Sequence, residues 1–164
     1  TVFKPTESNF RKKYGLQNKK IILGVASVWS ERKGLNDFIK LADLIDSDTR
    51  IVLVGVNKKQ KKHLPKNIVA IEKTNNAKEL AEIYTAADVF FNPTYEDNYP
   101  TVNLEAQACG TPVVTYDTGG SGESVPRENI IELGTYGTWT SKFNLQLVNS
   151  TCKEAMVEKY LDLY

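Results

Sequence analysis

Five apolar runs rich in β-branched residues recur along the chain: IILGVAS from Ile21, IVLVGV from Ile51, IVAI from Ile68, DVFFNPT from Asp88 and PVVTYD from Pro112. They are continuous rather than alternating, which is the pattern of strands buried on both faces and predicts a parallel sheet. Between them the period lengthens. Leu35, Phe38, Ile39, Ala42 and Ile45 follow Gly34 at i, i+3, i+4, i+7 spacing, and Leu80, Ile83, Tyr84 and Ala87 repeat it. Residues 101–109 predict a further helix, with Pro100 near its first position and Gly110 as its stop. The pattern weakens past Gly134 until STCKEAMVEKYLDLY offers a capped amphipathic helix carrying Ala155, Met156, Tyr160 and Leu163. Strand and helix alternate, so the expected fold class is α/β, a Rossmann-like, doubly wound, mainly parallel sheet with right-handed crossovers.

In such sheets ligands bind beyond the carboxyl ends of the strands, so the strand exits are where chemistry is sought. The first exit reads SVWSERKG, the fourth NPTYEDNYPT and the fifth DTGGSGES. They present in turn a cationic pair, an acidic and amide-rich helix entrance, and a glycine-rich turn. That combination suits a diphosphate attached to a polyhydroxylated group.

At Pro100 and Thr101 a helix start exposes unpaired N–H groups and about half a positive charge, a seat for phosphate. Glu105 lies about one turn further in, where a carboxylate accepts bonds from vicinal hydroxyls, and Asp97 stands before the helix. The plainer alternative makes Asp97 or Asn98 a helix cap and Glu105 a solvated residue. Arg32 and Lys33 are suited to phosphate oxygens, the first as a fork and the second as a point charge, or they belong to an ordinary charged loop. The TGGSG turn, with Thr118, Gly119 and Gly120, permits close backbone approach to a ligand or is simply a tight turn.

Composition narrows the classes. The 164 residues suit one domain, and no apolar run reaches the length of a membrane span. Lys and Arg number 21 against 20 Asp and Glu, so no global field draws in nucleic acid or an anionic membrane. Two cysteines, Cys109 and Cys152, make no disulfide framework, and the expected location is the cytoplasm. KKQKKH, residues 58–63, lacks aromatic interleaving and reads as a solvated helix face. The Asp46–Asp48 pair lies at the amino edge of the sheet, and His63 has no His or Cys neighbours in sequence, so no metal is expected.

The stretches ILGVASVWSERKGLNDFIKLA and ELAEIYTAADVFFNPTYEDNYPTVNLEAQACGTPVVTYDTGG, with the opening TVFKPT, resemble the carboxyl-terminal, donor-binding half of family 4 glycosyltransferases of the GT-B fold. The likeness covers nearly the whole chain and is most specific from Leu80 to Gly120. In that family two Rossmann-like domains face each other, the second holding a nucleotide sugar and the first an acceptor. TVFKPT resembles the linker after the acceptor domain, so the resemblance implies that residues 1–164 are the nucleotide-sugar-binding half of an enzyme whose amino-terminal domain is not in this chain.

The resemblance implies roles by position. Glu105 matches the glutamate that holds ribose hydroxyls. The family's other glutamate, eight positions earlier, falls on Asp97 by direct count, with Glu96 one place further away, so these two compete for the sugar. Lys33 matches the diphosphate-binding lysine. The partner arginine stands five residues before that lysine, at Val28 here, which leaves Arg32 as its substitute. Backbone amides from Tyr99 to Val102, with Asn98, Pro100, Ser27 and the Thr118–Gly120 turn, would complete the donor site.

The implied reaction is retaining transfer of a sugar from a UDP- or GDP-sugar to a glycan or lipid-linked acceptor, without a cofactor or metal, often in polysaccharide synthesis. Membrane association would come only through the missing half. Alternatives are a nucleotide-sugar-binding module without catalysis, and a nucleotide-sugar epimerase of the same fold.

Overall fold

A computed structural model describes residues 2–96 and 100–131. The expected carboxyl-terminal helix lies outside the described residues. Six strands form one sheet: β1 (Lys20–Val25), β2 (Thr49–Val54), β3 (Ile68–Ile71), β4 (Val89–Asn92), β5 (Val113–Tyr116) and β6 (Ile130–Ile131). Their order is β3-β2-β1-β4-β5-β6, and every pairing is parallel. This is the doubly wound arrangement expected from the apolar runs. The sixth strand was not expected, because two residues following two short 3-10 turns make no run long enough to read.

Successive strand residues feed opposite faces, so each apolar run supplies two cores. Phe91, Ile22, Ile51 and Tyr116 join Phe38 and Trp29 on one side. Phe90, Leu23, Val52 and Val113 join Tyr84, Ala106 and Phe10 on the other. Both faces being covered explains why β4 and β5 are buried at every position.

The helices are α1 (Phe10–Lys13), α2 (Leu35–Ala42), α3 (Lys58–Lys62), α4 (Ala77–Ala86) and α5 (Thr101–Ala108). At α4, Asn76 accepts the Glu79 N–H at 2.9 Å, and Asn57 and Gln60 form a reciprocal capping box at α3. None of the α3 residues is buried, as its lysines predicted, yet Gln60 also donates to the Trp29 carbonyl at 2.9 Å. The helix thereby braces the β1 exit. The Asp46 carboxylate closes the turn before β2, accepting the Asp48 N–H and the Thr49 hydroxyl.

The short α1 places Arg11 over the amino edge of the sheet. Its guanidinium donates to the carbonyls of Ala86, Leu16 and Lys19 and to Asp88 Oδ2, the last at 2.8 Å. Asp88 is buried and also accepts the Ile21 N–H at 2.8 Å. One arginine therefore ties the end of α4 to the starts of β1 and β4.

Candidate functional site

The strand order reverses between β1 and β4, and a crevice opens beyond their carboxyl ends. A cavity of about 390 Å³ occupies it. The β1 exit contributes Ser27, Val28 and Trp29; the turn before α2 contributes Arg32 and Lys33; the start of α5 contributes Pro100, Thr101 and Val102. Asn92, the last residue of β4, lies between them. Three separate stretches of sequence thus meet in one place.

Local geometry explains how they meet. Gly34 precedes α2 at φ +88°, and a Cβ there would lie 2.3 Å from the Pro93 carbonyl oxygen. Only glycine allows the Arg32–Lys33 turn to pack so closely on the β4 exit. The Tyr95 N–H then donates to the Arg32 carbonyl at 2.8 Å. On the other flank, Trp29 Nε1 donates to the Val54 carbonyl at 2.9 Å, and its ring meets Phe38 edge-on. The Arg32 guanidinium makes no hydrogen bond or ion pair among the described residues.

The β4 exit is held from below as well. Tyr95 and Tyr116 both donate their hydroxyls to Asp37 Oδ2, an acid buried on α2. A second hollow of about 520 Å³ adjoins them, bordered by Arg32, Lys40 and Glu96, so Arg32 stands between two cavities. A third of about 280 Å³ is walled by α1 and the start of α4 rather than by the β1 and β4 exits.

Among the expected site residues, Ser27, Arg32, Lys33, Pro100, Thr101 and Val102 line the crevice together. Asp97, Asn98 and Tyr99 lie outside the described residues. Glu96 is exposed and borders the adjoining hollow. Thr118 is buried and donates its hydroxyl to the Thr94 carbonyl; Gly119, at φ +51°, and Gly120 follow it. Neither these three nor Glu105 is among the residues lining the cavity. The glycine turn here is a joint between β5 and the β4 exit.

Glu105 is half-buried on α5, where its Oε2 accepts the Tyr84 hydroxyl at 2.8 Å. Burial, then the neighbouring Glu105 charge and this hydrogen bond, push the Tyr84 phenol far above its usual range. One carboxylate oxygen is thereby fixed, and Oε1 accepts nothing from the described residues. Tyr84 had been read only as a core position of α4. Its phenol could be found only by folding α4 against α5.

The site also holds polar residues that the sequence reading passed over: Asn92, Asn103, Thr115, Ser121 and Ser124, four of them buried and Ser124 half-buried. Asn92 Nδ2 donates to Asn103 Oδ1 at 2.9 Å, and Asn103 Nδ2 donates to Ser121 Oγ and Ser124 Oγ at 3.1 and 2.9 Å. An asparagine closing the run VFFN was the available signal, since a polar residue inside a buried strand needs partners.

A doubly wound parallel sheet with cations and a helix start gathered at its switch point is a Rossmann-like α/β domain. The profile of the family described as glycosyl transferases group 1 matches residues 6–132, and the chain belongs to that family. The chain is 34% identical over 117 residues to the processive diacylglycerol alpha-glucosyltransferase of Acholeplasma laidlawii, covering 66% of this chain and 35% of that protein. It is 31% identical over 140 residues to the D-inositol 3-phosphate glycosyltransferase of Arthrobacter sp. strain FB24, covering 76% and 33%. The chain thus spans about a third of the length of either relative.

Solved structures share the fold. Anabaena Alr3699/HepE in complex with UDP-glucose superposes with a TM-score of 0.76 at 15% identity, over 99% of this chain and 55% of that one. The carboxyl-terminal domain of the group 1 glycosyl transferase LpcC from Francisella tularensis gives 0.72 at 18% identity, over 99% and 93%. The fold is that of the carboxyl-terminal domain of GT-B glycosyltransferases.

Proposed function

We propose that the chain is the donor-binding half of a retaining glycosyltransferase that moves a sugar from a nucleoside diphosphate to a glycan or lipid-linked acceptor. The observation that carries this reading is the convergence of Arg32, Lys33 and the α5 start on the switch-point cavity. All three favour negative charge, so the diphosphate belongs there. Val28, which occupies the place of the family's arginine, lines the same cavity, and Arg32, which also lines it, supplies the missing cation. That substitution favours a catalytic donor site over a binding module that has lost its charge.

In this reading the departing diphosphate develops negative charge as the glycosidic bond breaks. Arg32, Lys33 and the α5 dipole are already aimed at it and accelerate the step by preorganisation. Glu105, with Oε2 held by Tyr84, offers Oε1 to a ribose hydroxyl. Asp97 or Glu96 meets the transferred sugar from the β4 exit. A relative named as a diacylglycerol glucosyltransferase supports a lipid-linked acceptor, and a neighbour holding UDP-glucose supports a UDP-sugar donor. A role in surface polysaccharide or glycolipid synthesis, on the cytoplasmic side, follows from such substrates. The acceptor would sit on an amino-terminal domain facing this one.

Titration with UDP and GDP tests the assignment. Lys33→Ala and Glu105→Ala should each weaken binding by about 1.5 to 3 kcal/mol, the value of one charge-assisted hydrogen bond. Unchanged affinity in both variants would sink it.

A further inference from the structure

The buried polar network beneath the cavity has only one consistent direction of hydrogen bonding. The Thr115 hydroxyl donates to the Asn92 carbonyl at 2.8 Å, and the Ser124 hydroxyl donates to the Ser121 carbonyl at 2.7 Å. Carbonyls only accept, so both protons are committed. The contact between Thr115 and Ser121 must then use the Ser121 proton. Ser121 Oγ and Ser124 Oγ are left as acceptors, and the Asn103 group facing them must be its amide nitrogen.

The direction propagates to the cavity. With its nitrogen spent on the serines, Asn103 turns Oδ1 toward Asn92, and Asn92 must answer with its own nitrogen at 2.9 Å. Reversing both amides would forfeit the bonds to the two backbone carbonyls. Asn92 is 8% exposed, and its Oδ1 accepts no hydrogen bond among the described residues. No fully buried side-chain nitrogen or oxygen among those residues lacks a partner, so Oδ1 reaches the cavity that Asn92 lines. The cavity has cationic and N–H donors on its walls and one fixed acceptor on its floor.

An acceptor repels phosphate oxygens and requires an O–H or N–H from whatever fills the space beside it. We infer that Asn92 is a specificity-determining residue, its Oδ1 taking a hydrogen bond from a hydroxyl of the bound nucleotide sugar. This rests on the donor-site reading above. Because Asn103, Ser121, Ser124 and Thr115 hold the carboxamide in one orientation, the oxygen cannot be exchanged for the nitrogen to suit a ligand lacking that hydroxyl.

Calorimetric titration with UDP, GDP, UDP-glucose, GDP-glucose and inorganic pyrophosphate, before and after Asn92→Leu and Asn92→Ser, tests the inference. Loss of one hydrogen bond should weaken hydroxyl-bearing ligands about tenfold and leave pyrophosphate affinity unchanged. A loss already present for UDP or GDP assigns the hydroxyl to ribose; a loss confined to the glucose-linked forms assigns it to the transferred sugar. Unchanged affinity for all four nucleotides in a folded variant would overturn the inference while leaving the donor-site reading intact. An equal fall for pyrophosphate would overturn it too, since that reports collapse of the crevice. If neither variant folds, the unaltered chain is titrated with donors carrying fluorine, which cannot donate, in place of each hydroxyl. A series with no weakened member overturns the inference. Failure of the unaltered chain to bind any nucleotide would remove the donor-site reading and this inference together.

Discussion

Tyr84 and Glu105 show how much a single contact can decide. The phenol is buried, its hydroxyl is held by a carboxylate, and its pKa lies above the ordinary 10.0 in the folded chain. Above pH 10 an unfolded chain therefore releases a proton that the folded chain keeps. The unfolded state binds fewer protons there, so stability falls as pH rises, by up to about 1.4 kcal/mol per pH unit from this group. Its contribution is fully present below pH 10. Denaturant unfolding followed from pH 9 to 11 should show a shallower decline for Tyr84→Phe than for the unaltered chain. Equal slopes would mean that this phenol is not shielded. The variant should also bind UDP or GDP less tightly, because Glu105 loses the bond that orients it.

At the scale of elements, the same sequence patterns that predicted the sheet concealed what holds its ends. Five strands and the α2, α4 and α5 helices were legible because continuous apolar runs and 3.6-residue periodicity record burial directly. Arg11 was not, because α1 has four residues and its partners come from the end of α4, the loop between α1 and β1, and the residue just before β4. Long-range polar contacts leave no period. Arg11→Ala strips Asp88 of its ion pair and takes a donor from the carbonyls of Ala86, Lys19 and Leu16, the last of which keeps the Lys19 N–H. Asp88 is buried but Arg11 is partly exposed, and a buried acceptor that loses its donor typically costs about 1 to 3 kcal/mol. Urea unfolding should show a loss of that size, and a change within 0.5 kcal/mol, roughly that of an ordinary surface substitution, would contradict this account.

The candidate site divides in the same way. Lys33, Arg32 and Thr101 were legible because each lies just past a strand or at a helix start, and the fold rule brings those places together. Asn92, Asn103 and the Asp37–Tyr95–Tyr116 cluster were not, because hydrogen-bonded polar residues inside apolar segments are visible only once strands and helices are assembled.

For the whole molecule, the proposed function makes this sheet one wall of a catalytic cleft. In that reading the Arg32–Lys33 turn and the start of α5 receive the diphosphate, and the acceptor hydroxyl is delivered by other surfaces. The 164-residue chain alone should therefore bind a donor yet fail to transfer its sugar to an added glycan or glycolipid, as read by product formation from UDP-glucose. Efficient transfer would show that the acceptor site lies within this chain.

The parallel pairing of β1 with β4 also sets a schedule for folding. Ile22 stands opposite Val89, so the edge formed by β1, β2 and β3 can assemble from the first part of the chain, but the crevice cannot exist until β4 has crossed back to dock beside β1. Closing so long a loop is slow compared with forming any of the helices. The crevice between β1 and β4 is therefore a product of long-range closure, and under the proposed function a nucleotide would find its site only after β4 has docked.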